Sequence, residues 1–442
     1  MNRPTIWAGP LLALALGIAA PARAQDADTA PDQRFALHGQ TTVTAQGDAG
    51  FTAPYAGTNS LTPGQVRETI DVTLFGGMRL WKGAEIWVNG EMDQGFGLSD
   101  TLGVAGFTSG EAYKVGSRTP YVRLQRGFLR QTIALGGDAL HIDAAANTLR
   151  QTTTSDRVVI TVGKFGVGDV FDTNSYAHDP RADFLNWSVI DTGSFDYAAD
   201  AWGYSLGAAA EWYQADWAVR FGLFNLSTEP NGTVLETSYA QNQMIVESEH
   251  RHKLGGHPGV IRVSFWRNHG RFENLDTALA IYRGIGALPE ASAERRPATR
   301  AGEQIDAEQE ITDSVGVFLR AGLANGHYET YDFTDIDRTV ALGGQIKGDI
   351  WNRKDDRVGV ATVVNGISKT REAFLNAGGL GVLVGDGRLP HPGPEWITEA
   401  YYDWKVMPGI DLTADYQFVQ NPGYNRDRGP VNVVAFRLHG QF

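Results

Sequence analysis

The segment VNVVAFRLHGQF, residues 431–442, alternates apolar and polar side chains along most of its length. One face carries Val434, Phe436 and Leu438, and the other carries Arg437 and His439. A strand places successive side chains on opposite faces, whereas a helix would mix these two sets. The segment therefore predicts a β-strand with one apolar face and one polar face.

The same period of two recurs along the chain. It is clear in AWGYSLGAAAEWYQ (201–214), VGVFLRAGL (315–323), RTVALGGQIKGDI (338–350) and GIDLTADYQF (409–418). Counting all such segments gives sixteen, an even number, as bacterial single-chain membrane barrels have. Short connections alternate with long ones rich in Gly, Pro, Asn and Asp, as periplasmic turns alternate with extracellular loops. The pattern predicts an all-β fold, a 16-stranded antiparallel transmembrane β-barrel.

Residues 1–24 have the features of a secretory signal peptide. An early arginine precedes an apolar run near Leu11 to Ala20, and Ala22-Arg23-Ala24 is a small-x-small cleavage sequence. We expect cleavage near Ala24, which leaves residues 25–442 as an outer-membrane β-barrel domain in a Gram-negative cell.

The composition excludes several classes of function. The formal net charge of −13 disfavours nucleic-acid binding. The chain has no cysteine, so it forms neither a disulfide nor a thiolate metal site. We predict no cofactor and no metal. Outer-membrane lipid is the expected partner of the apolar faces.

The polar faces of the predicted strands are heavily charged, for example at Glu85, Arg220, Glu247, Asp306 and Arg320. Sixteen strands enclose a lumen too wide for side chains to fill. Buried charges are costly unless they are paired or hydrated, so we expect a water-filled pore. Because acidic and basic residues fall on different strands, we also expect a transverse electric field across it.

Two long connections, residues 93–126 and 166–198, are candidates for the constriction of this pore. The second mixes carboxylates, amides, a base and aromatic rings: Asp172, Asn174, Asp179, Arg181, Asp183, Asn186 and Trp187. Sugars stack on aromatic rings and pair their hydroxyls with carboxylates and guanidinium groups. We expect these extracellular loops to fold inward; an external lid is the alternative. Trp87, on a polar face, either stacks on sugar or packs in the wall.

Long stretches of the chain resemble the carbohydrate-selective porin family of the OprB type. They include FALHGQTT (35–42), NGEMDQGFGLS (89–99), YVRLQRGFLRQ (121–131), VGKF (162–165) and DYQFVQNPGYNRDRGPV (415–431). The resemblance implies a sixteen-stranded outer-membrane barrel with inward-folded extracellular loops. It also implies passive, selective diffusion of monosaccharides, glucose above all, into the periplasm.

Transferred motif by motif, the resemblance implies a channel lining that includes Glu91, Asp93, Arg123, Arg126, Arg130 and Lys164, together with the segment from Asp172 to Trp187. Lys164 is ambiguous, since it shares its parity with Val158, Ile160 and Val162. That parity predicts a side chain facing lipid, unless a bulge intervenes.

Other functions remain open at this point. A general diffusion porin, or a pore for another solute such as an acidic saccharide, is the nearest alternative, and an outer-membrane barrel hydrolase is more remote. GYSLG (203–207) matches a hydrolase motif, but Ser205 lies in a predicted strand instead of the strained turn that a nucleophile needs. His250, His252 and His257 could form a zinc site, but we favour their being polar residues at the membrane interface. Calcium in the 169–183 segment is also left open.

Three further expectations concern the ends of the strands. Tryptophans at 202, 212, 396 and 404 are predicted to form aromatic girdles at the membrane interfaces. Residues 136–156 are predicted to be a long periplasmic connection with a short helix. The final strand, ending at Phe442, is predicted to pair with the first strand near Phe35 and to be recognised by the barrel assembly machinery.

Overall fold

A computed structural model describes residues 31–112 and 114–442, so the predicted signal peptide lies outside the described residues. Within this part of the chain, sixteen strands form one closed barrel. Each strand pairs with its neighbours in sequence, and antiparallel pairing of β1 with β16 closes the barrel. The predicted fold class is confirmed.

The first eight strands are β1 (Phe35–Asp48), β2 (Val66–Trp81), β3 (Ala84–Gly95), β4 (Ser117–Ile142), β5 (Gln151–Phe165), β6 (Ser205–Gln214), β7 (Trp217–Asn225) and β8 (Asn242–Leu254). The others are β9 (His257–Phe272), β10 (Arg296–Thr312), β11 (Val315–Ala324), β12 (Arg338–Lys347), β13 (Arg357–Gly366), β14 (Glu395–Met407), β15 (Ile410–Gln420) and β16 (Val431–Gln441).

The helices of the described residues lie in the connections. They are α1 (Trp187–Ile190), α2 (Leu275–Ile285), α3 (Ala291–Glu294) and α4 (Lys369–Asn376). Single 3₁₀ turns span 98–101, 167–169, 348–351 and 422–424. Among residues 31–112 and 114–442, no helix has the length and apolar character needed to cross a membrane.

The alternation predicted for the final strand is present. Val434 and Phe436 lie on the exposed outer surface, whereas Arg437 and His439 lie inside and are buried. Closure of the barrel satisfies the backbone hydrogen bonds of every strand, which is what allows a sheet to cross a lipid bilayer.

The predicted aromatic girdles are present in part. Trp212, Trp396 and Trp404 are all exposed on the outer surface. Trp202 is instead buried, because it precedes β6 and packs with Tyr121. The prediction for Trp202 is wrong, since its parity extended a strand that begins only at Ser205.

The long connections lie at one end of the barrel and define its extracellular side. They are loop 1 (49–65), loop 2 (96–116), loop 3 (166–204), loop 4 (226–241), loop 5 (273–295), loop 6 (325–337), loop 7 (367–394) and loop 8 (421–430). Loop 2 is shorter than the predicted 93–126 because β3 and β4 extend into that region. Loop 3 continues beyond the predicted residue 198.

The prediction of a long connection with a helix at residues 136–156 is wrong. The ladder between β4 and β5 continues there, with Leu140 opposite Thr153. Gly136 and Gly137 have φ values of +129° and +82° and interrupt the ladder register. The connection proper is residues 143–150, and its Leu149 N–H donates to the Glu85 carboxylate at 3.0 Å. The hairpin therefore folds back against the periplasmic end of the barrel wall.

Candidate functional site

Loop 3 lies inside the barrel and is anchored by carboxylates of the wall. Glu399 on β14 accepts hydrogen bonds from the backbone N–H groups of Leu185 and Asn186, at 2.5 and 3.0 Å. Glu247 on β8 accepts one from the N–H of Asp172 at 3.0 Å. Both carboxylates are buried. Acceptors on the wall thus satisfy N–H groups that the irregular loop backbone cannot pair itself.

Arginines of the wall anchor the loop carbonyl groups in the same way. Arg437 on β16 donates to the carbonyl oxygens of Pro180 and Asp183, at 2.6 and 2.8 Å. Arg320 on β11 donates to that of Ala177 at 2.8 Å. The charged inner face was predicted to line open water. Along these strands it instead binds loop 3.

A ladder of ion pairs crosses the inner wall from β7 to β11. Glu249 lies between Arg220 and Arg262, at 2.8 and 3.1 Å. Asp306 lies between Arg262 and Arg320, at 3.0 and 2.9 Å. Positive and negative strands alternate, so each charge is balanced by a neighbour. The predicted placement of acidic and basic residues on different strands is confirmed in this part of the wall, whereas the transverse field across the lumen stays a prediction.

Loop 2 also folds inward and packs on loop 3. Glu395 on β14 accepts hydrogen bonds from the N–H groups of Ala105 and Gly106, at 3.0 and 2.8 Å. The ring of Phe107 stacks on that of Trp187, with centroids 4.9 Å apart. The prediction that two extracellular loops enter the barrel is thereby met by the structure. Trp187 is buried in this packing.

The two loops meet the wall at Arg181. Its guanidinium lies 3.7 Å from Asp71 on β2, 3.9 Å from Glu91 on β3, 3.5 Å from Glu111 of loop 2 and 4.0 Å from Asp179 of loop 3. We call these five residues the Arg181 cluster. Half of the Asp179 side chain is exposed, so the cluster reaches solvent inside the barrel.

The pKa values of the two loop carboxyl groups of this cluster, Glu111 and Asp179, are shifted in opposite directions. Burial raises the pKa of Glu111 well above its usual range, although Arg181 acts in the opposite direction. Burial also acts to raise the pKa of Asp179, but Arg181, through its charge and its backbone N–H, outweighs it and leaves the pKa lowered. Asp179 is therefore the carboxylate that carries its charge most readily next to water.

Three members of this cluster, Glu91, Asp179 and Arg181, are predicted from the sequence. Asp71 and Glu111 are not. The alternation of side chains could have located Asp71, because it lies on the same face of β2 as the buried Thr69 and Thr73. Alternation could not have located Glu111, because it lies in an irregular loop without periodicity.

Lys164 and Arg123 share a different carboxylate. The Lys164 ammonium lies 2.9 Å from Asp200 of loop 3, and a guanidinium nitrogen of Arg123 lies 3.9 Å from it. Arg123 also covers the ring of Trp202, 3.4 Å from the ring centroid. Lys164 therefore ties the end of loop 3 to β5.

Arg126 and Arg130 lie in separate surroundings. Arg126 forms a bidentate pair with Asp169 of loop 3, at 2.8 and 2.7 Å. Arg130 pairs with Glu85 at 3.1 Å and donates to the carbonyl oxygen of Asn147 at 2.8 Å. The structure therefore does not bring the arginines of YVRLQRGFLRQ together: one anchors a loop and another the periplasmic hairpin.

Several predicted site residues serve as packing or as anchors. Trp87 is 0 % exposed and lies beside His38, which favours wall packing over stacking on sugar. Asn174 donates to Asp306 at 2.9 Å. Asp183 accepts from Gln345 at 2.9 Å.

Asp172, Asn186 and Asp93 are also buried. Asp172 accepts hydrogen bonds from the N–H and hydroxyl of Thr192, at 2.6 and 2.8 Å. Asn186 caps α1 by accepting from the N–H of Ser188 at 3.1 Å. Because Asp169 and Asp172 are held by different partners, the segment 169–183 does not gather its carboxylates around a common point.

Comparisons with known proteins agree with this architecture. A family model described as carbohydrate-selective porin, OprB family, matches residues 58–442. The high-pH structure of OprB from Pseudomonas putida is similar with a TM-score of 0.70 at 15% identity, over 92% of this chain and 94% of that chain. The low-pH structure of the same protein is similar with a TM-score of 0.50 at 12% identity, over 92% of this chain and 93% of that chain. Among curated proteins, none matches this sequence. At these identities the structural likeness concerns the fold.

Proposed function

Since the chain belongs to the OprB family of carbohydrate-selective porins, we propose that it admits monosaccharides of the glucose type into the periplasm by passive, selective diffusion. The family and the closed barrel indicate an outer-membrane channel. The observation that carries the sugar proposal is the Arg181 cluster, where loops 2 and 3 meet strands β2 and β3.

The chemistry of the cluster suits a sugar hydroxyl. A hydroxyl both donates and accepts, so one hydroxyl bridges a guanidinium and a carboxylate. Arg181 lies 3.5 to 4.0 Å from its carboxylates, farther than the roughly 2.8 Å of a direct charge-assisted hydrogen bond. A sugar hydroxyl beside these groups donates to a carboxylate and accepts from the guanidinium. Weak binding of this kind is what a channel needs, because a tightly held sugar would not leave.

The charge of the cluster argues for a neutral solute. Four carboxyl groups surround one guanidinium. A carboxylate on the solute would meet repulsion from the acidic members, and Asp179 keeps its charge because its pKa is lowered. This disfavours the alternative of a pore for acidic saccharides.

Swelling of liposomes that contain the purified protein tests this proposal. We expect glucose to enter several-fold faster than glucuronate, which has almost the same size, and faster than the larger maltose. The variant Asp179→Asn removes the carboxylate that keeps its charge and retains an oxygen that can accept the Arg181 N–H, so it is expected to narrow the gap between glucose and glucuronate. Equal rates for glucuronate and glucose in the wild type would mean a general diffusion porin.

The remaining steps of the proposal concern maturation. We infer that the signal peptide is removed near Ala24 and that the barrel assembly machinery recognises the strand ending at Phe442. The seam between β1 and β16 supports the second inference, because that strand closes the barrel. Outer-membrane lipid then surrounds the apolar outer face.

A further inference from the structure

The outer surface of the barrel has a concave groove of about 600 Å³ across strands β9 to β13. Its lining is largely apolar and includes Phe265, Ile305, Leu323 and Val340. These four side chains are exposed, so the groove opens to the surroundings of the barrel and not to the channel. The small Ala321 contributes to its floor.

The groove lies at the extracellular edge of the wall. Arg338, at one end of the groove, is the first residue of β12 and pairs with Gly366, the last residue of β13. Loop 6, which is extracellular, ends next to Arg338, and the extracellular loop 7 begins next to Gly366. The top of the groove is therefore at the depth of the headgroups of the outer leaflet, with its apolar part toward the acyl chains.

Outward-facing arginines lie around the top of the groove. The Arg338 side chain lies across Gly366, where a Cβ would stand 2.6 Å from its Nε. On β9, Arg267 contacts the Met244 sulfur at 2.8 Å, and Arg271 donates to the Arg295 carbonyl oxygen at 3.2 Å.

These arginines differ from those of the interior. Within residues 31–112 and 114–442, no carboxylate lies within 4.0 Å of the guanidinium groups of Arg267, Arg271 or Arg338. Arg220 and Arg262, inside the barrel, each pair with carboxylates of the neighbouring strands. A guanidinium that faces lipid without a carboxylate beside it suits a phosphate, which it binds in a bidentate manner.

The groove also contains one carboxylate, Glu303. Glu303 pairs in register with Phe265 on one side and with Leu323 on the other, and Leu323 pairs with Arg338. Two strand spacings, roughly 10 Å, therefore separate Glu303 from Arg338 along the sheet. A ligand of this groove meets a cation at one end and a hydrogen-bond acceptor at the other.

We propose that this groove binds one phosphorylated glycolipid of the outer leaflet, of the lipid A type. Arg338 receives a phosphate, Glu303 accepts hydrogen bonds from hydroxyl or amide groups of the sugar headgroup, and the apolar strip holds acyl chains. Charge complementarity carries this choice, since a purely apolar neighbour would leave the guanidinium groups without an anion. The site lies outside the channel and is independent of which sugar the channel admits.

Native mass spectrometry of the full-length mature protein in detergent tests this site. The probes are bisphosphorylated lipid A, its dephosphorylated form and phosphatidylethanolamine. We expect one lipid A to bind about tenfold more tightly than either other lipid. Arg338→Gln is expected to weaken lipid A binding about tenfold. The control is Arg118→Gln, which removes another exposed arginine at the extracellular edge, on β4.

A second variant keeps the test decisive if Arg338→Gln assembles poorly. Ala321→Trp fills the floor of the groove without changing its charge, and it is expected to abolish binding of lipid A. Equal binding of phosphatidylethanolamine and lipid A would overturn the proposal. It would also be overturned if Arg118→Gln weakened lipid A binding as much as Arg338→Gln does. Disulfide-linked dimers formed through Leu323→Cys would also overturn it, because a second copy of the chain would then occupy the groove.

Discussion

Phe442 and Gly39 exchange two backbone hydrogen bonds, one from the Gly39 N–H at 3.3 Å and one from the Phe442 N–H at 3.0 Å. The Phe442 ring lies over Gly39, where a Cβ would stand 2.2 Å from the ring. These contacts continue the β1–β16 ladder, which pairs Gln40 with Gln441. The final aromatic residue therefore packs on the first strand at the seam where the barrel closes.

Gly39→Val tests the importance of this seam. The added side chain displaces the Phe442 ring, so we expect a lower yield of folded barrel, measured by heat-modifiable mobility in gel electrophoresis. Deletion of Phe442 is expected to act in the same direction. The control is Gly90→Val on β3, where a Cβ meets no atom within 4 Å. A normal yield for Gly39→Val would show that the ring contact does not assist closure.

Glu399→Gln tests the anchoring of loop 3. Both carboxylate oxygens accept a loop N–H, so the amide nitrogen of glutamine must oppose one of them. An unsatisfied buried donor costs about 1–3 kcal/mol. We expect faster proteolysis within loop 3 and a larger single-channel conductance. Glu68→Gln, at an exposed position of β2, is the control. Unchanged proteolysis in Glu399→Gln would contradict this role.

Arg181→Gln tests the electrostatics of the constriction. The substitution leaves Asp71, Glu91, Glu111 and Asp179 without their shared cation, so the lumen becomes more negative. We expect greater selectivity for potassium over chloride, measured as a shift in the reversal potential under a salt gradient. Arg283→Gln, on the exposed face of α2, should leave that potential unchanged. No shift for Arg181→Gln would mean that ions pass elsewhere.

A double-mutant cycle tests the ion-pair ladder at Arg320 and Asp306, which lie 2.9 Å apart and are buried. Removal of one partner of a buried pair costs about 3–5 kcal/mol. We expect Arg320→Met and Asp306→Asn to lower the free energy of unfolding by less in combination than the sum of the single changes. Urea unfolding of the reconstituted barrel measures this. The exposed pair Lys369–Glu372 is the control, with a coupling of about 0–1 kcal/mol. Additive effects at Arg320 and Asp306 would refute the coupling.

The alternation of side chains was sufficient to predict the strands and their faces, because each strand separates an apolar surface from an interior. Phe436 lies outside and Arg437 inside, as their parity indicates. Parity also locates Asp71 on the inner face, although its role beside Arg181 depends on the fold of two loops.

The partners of the interior charges could not be predicted in this way. Arg437 bonds to Pro180, which is 257 residues away, and periodicity indicates a face without indicating what covers it. The prediction of a connection with a helix at residues 136–156 was wrong for a related reason. Its alanines favour a helix, but the pairing of Leu140 with Thr153 in the β4–β5 ladder overrides that local preference.

The most direct test of the proposed function is the ion current through single channels in planar bilayers while glucose is titrated from the micromolar to the high millimolar range. We predict a saturable decrease in current with glucose, a weaker decrease with glucuronate, and a loss of the glucose effect in Arg181→Gln. If wild-type channels conduct ions but glucose leaves the current unchanged at every concentration, the claim of a sugar-binding constriction is wrong.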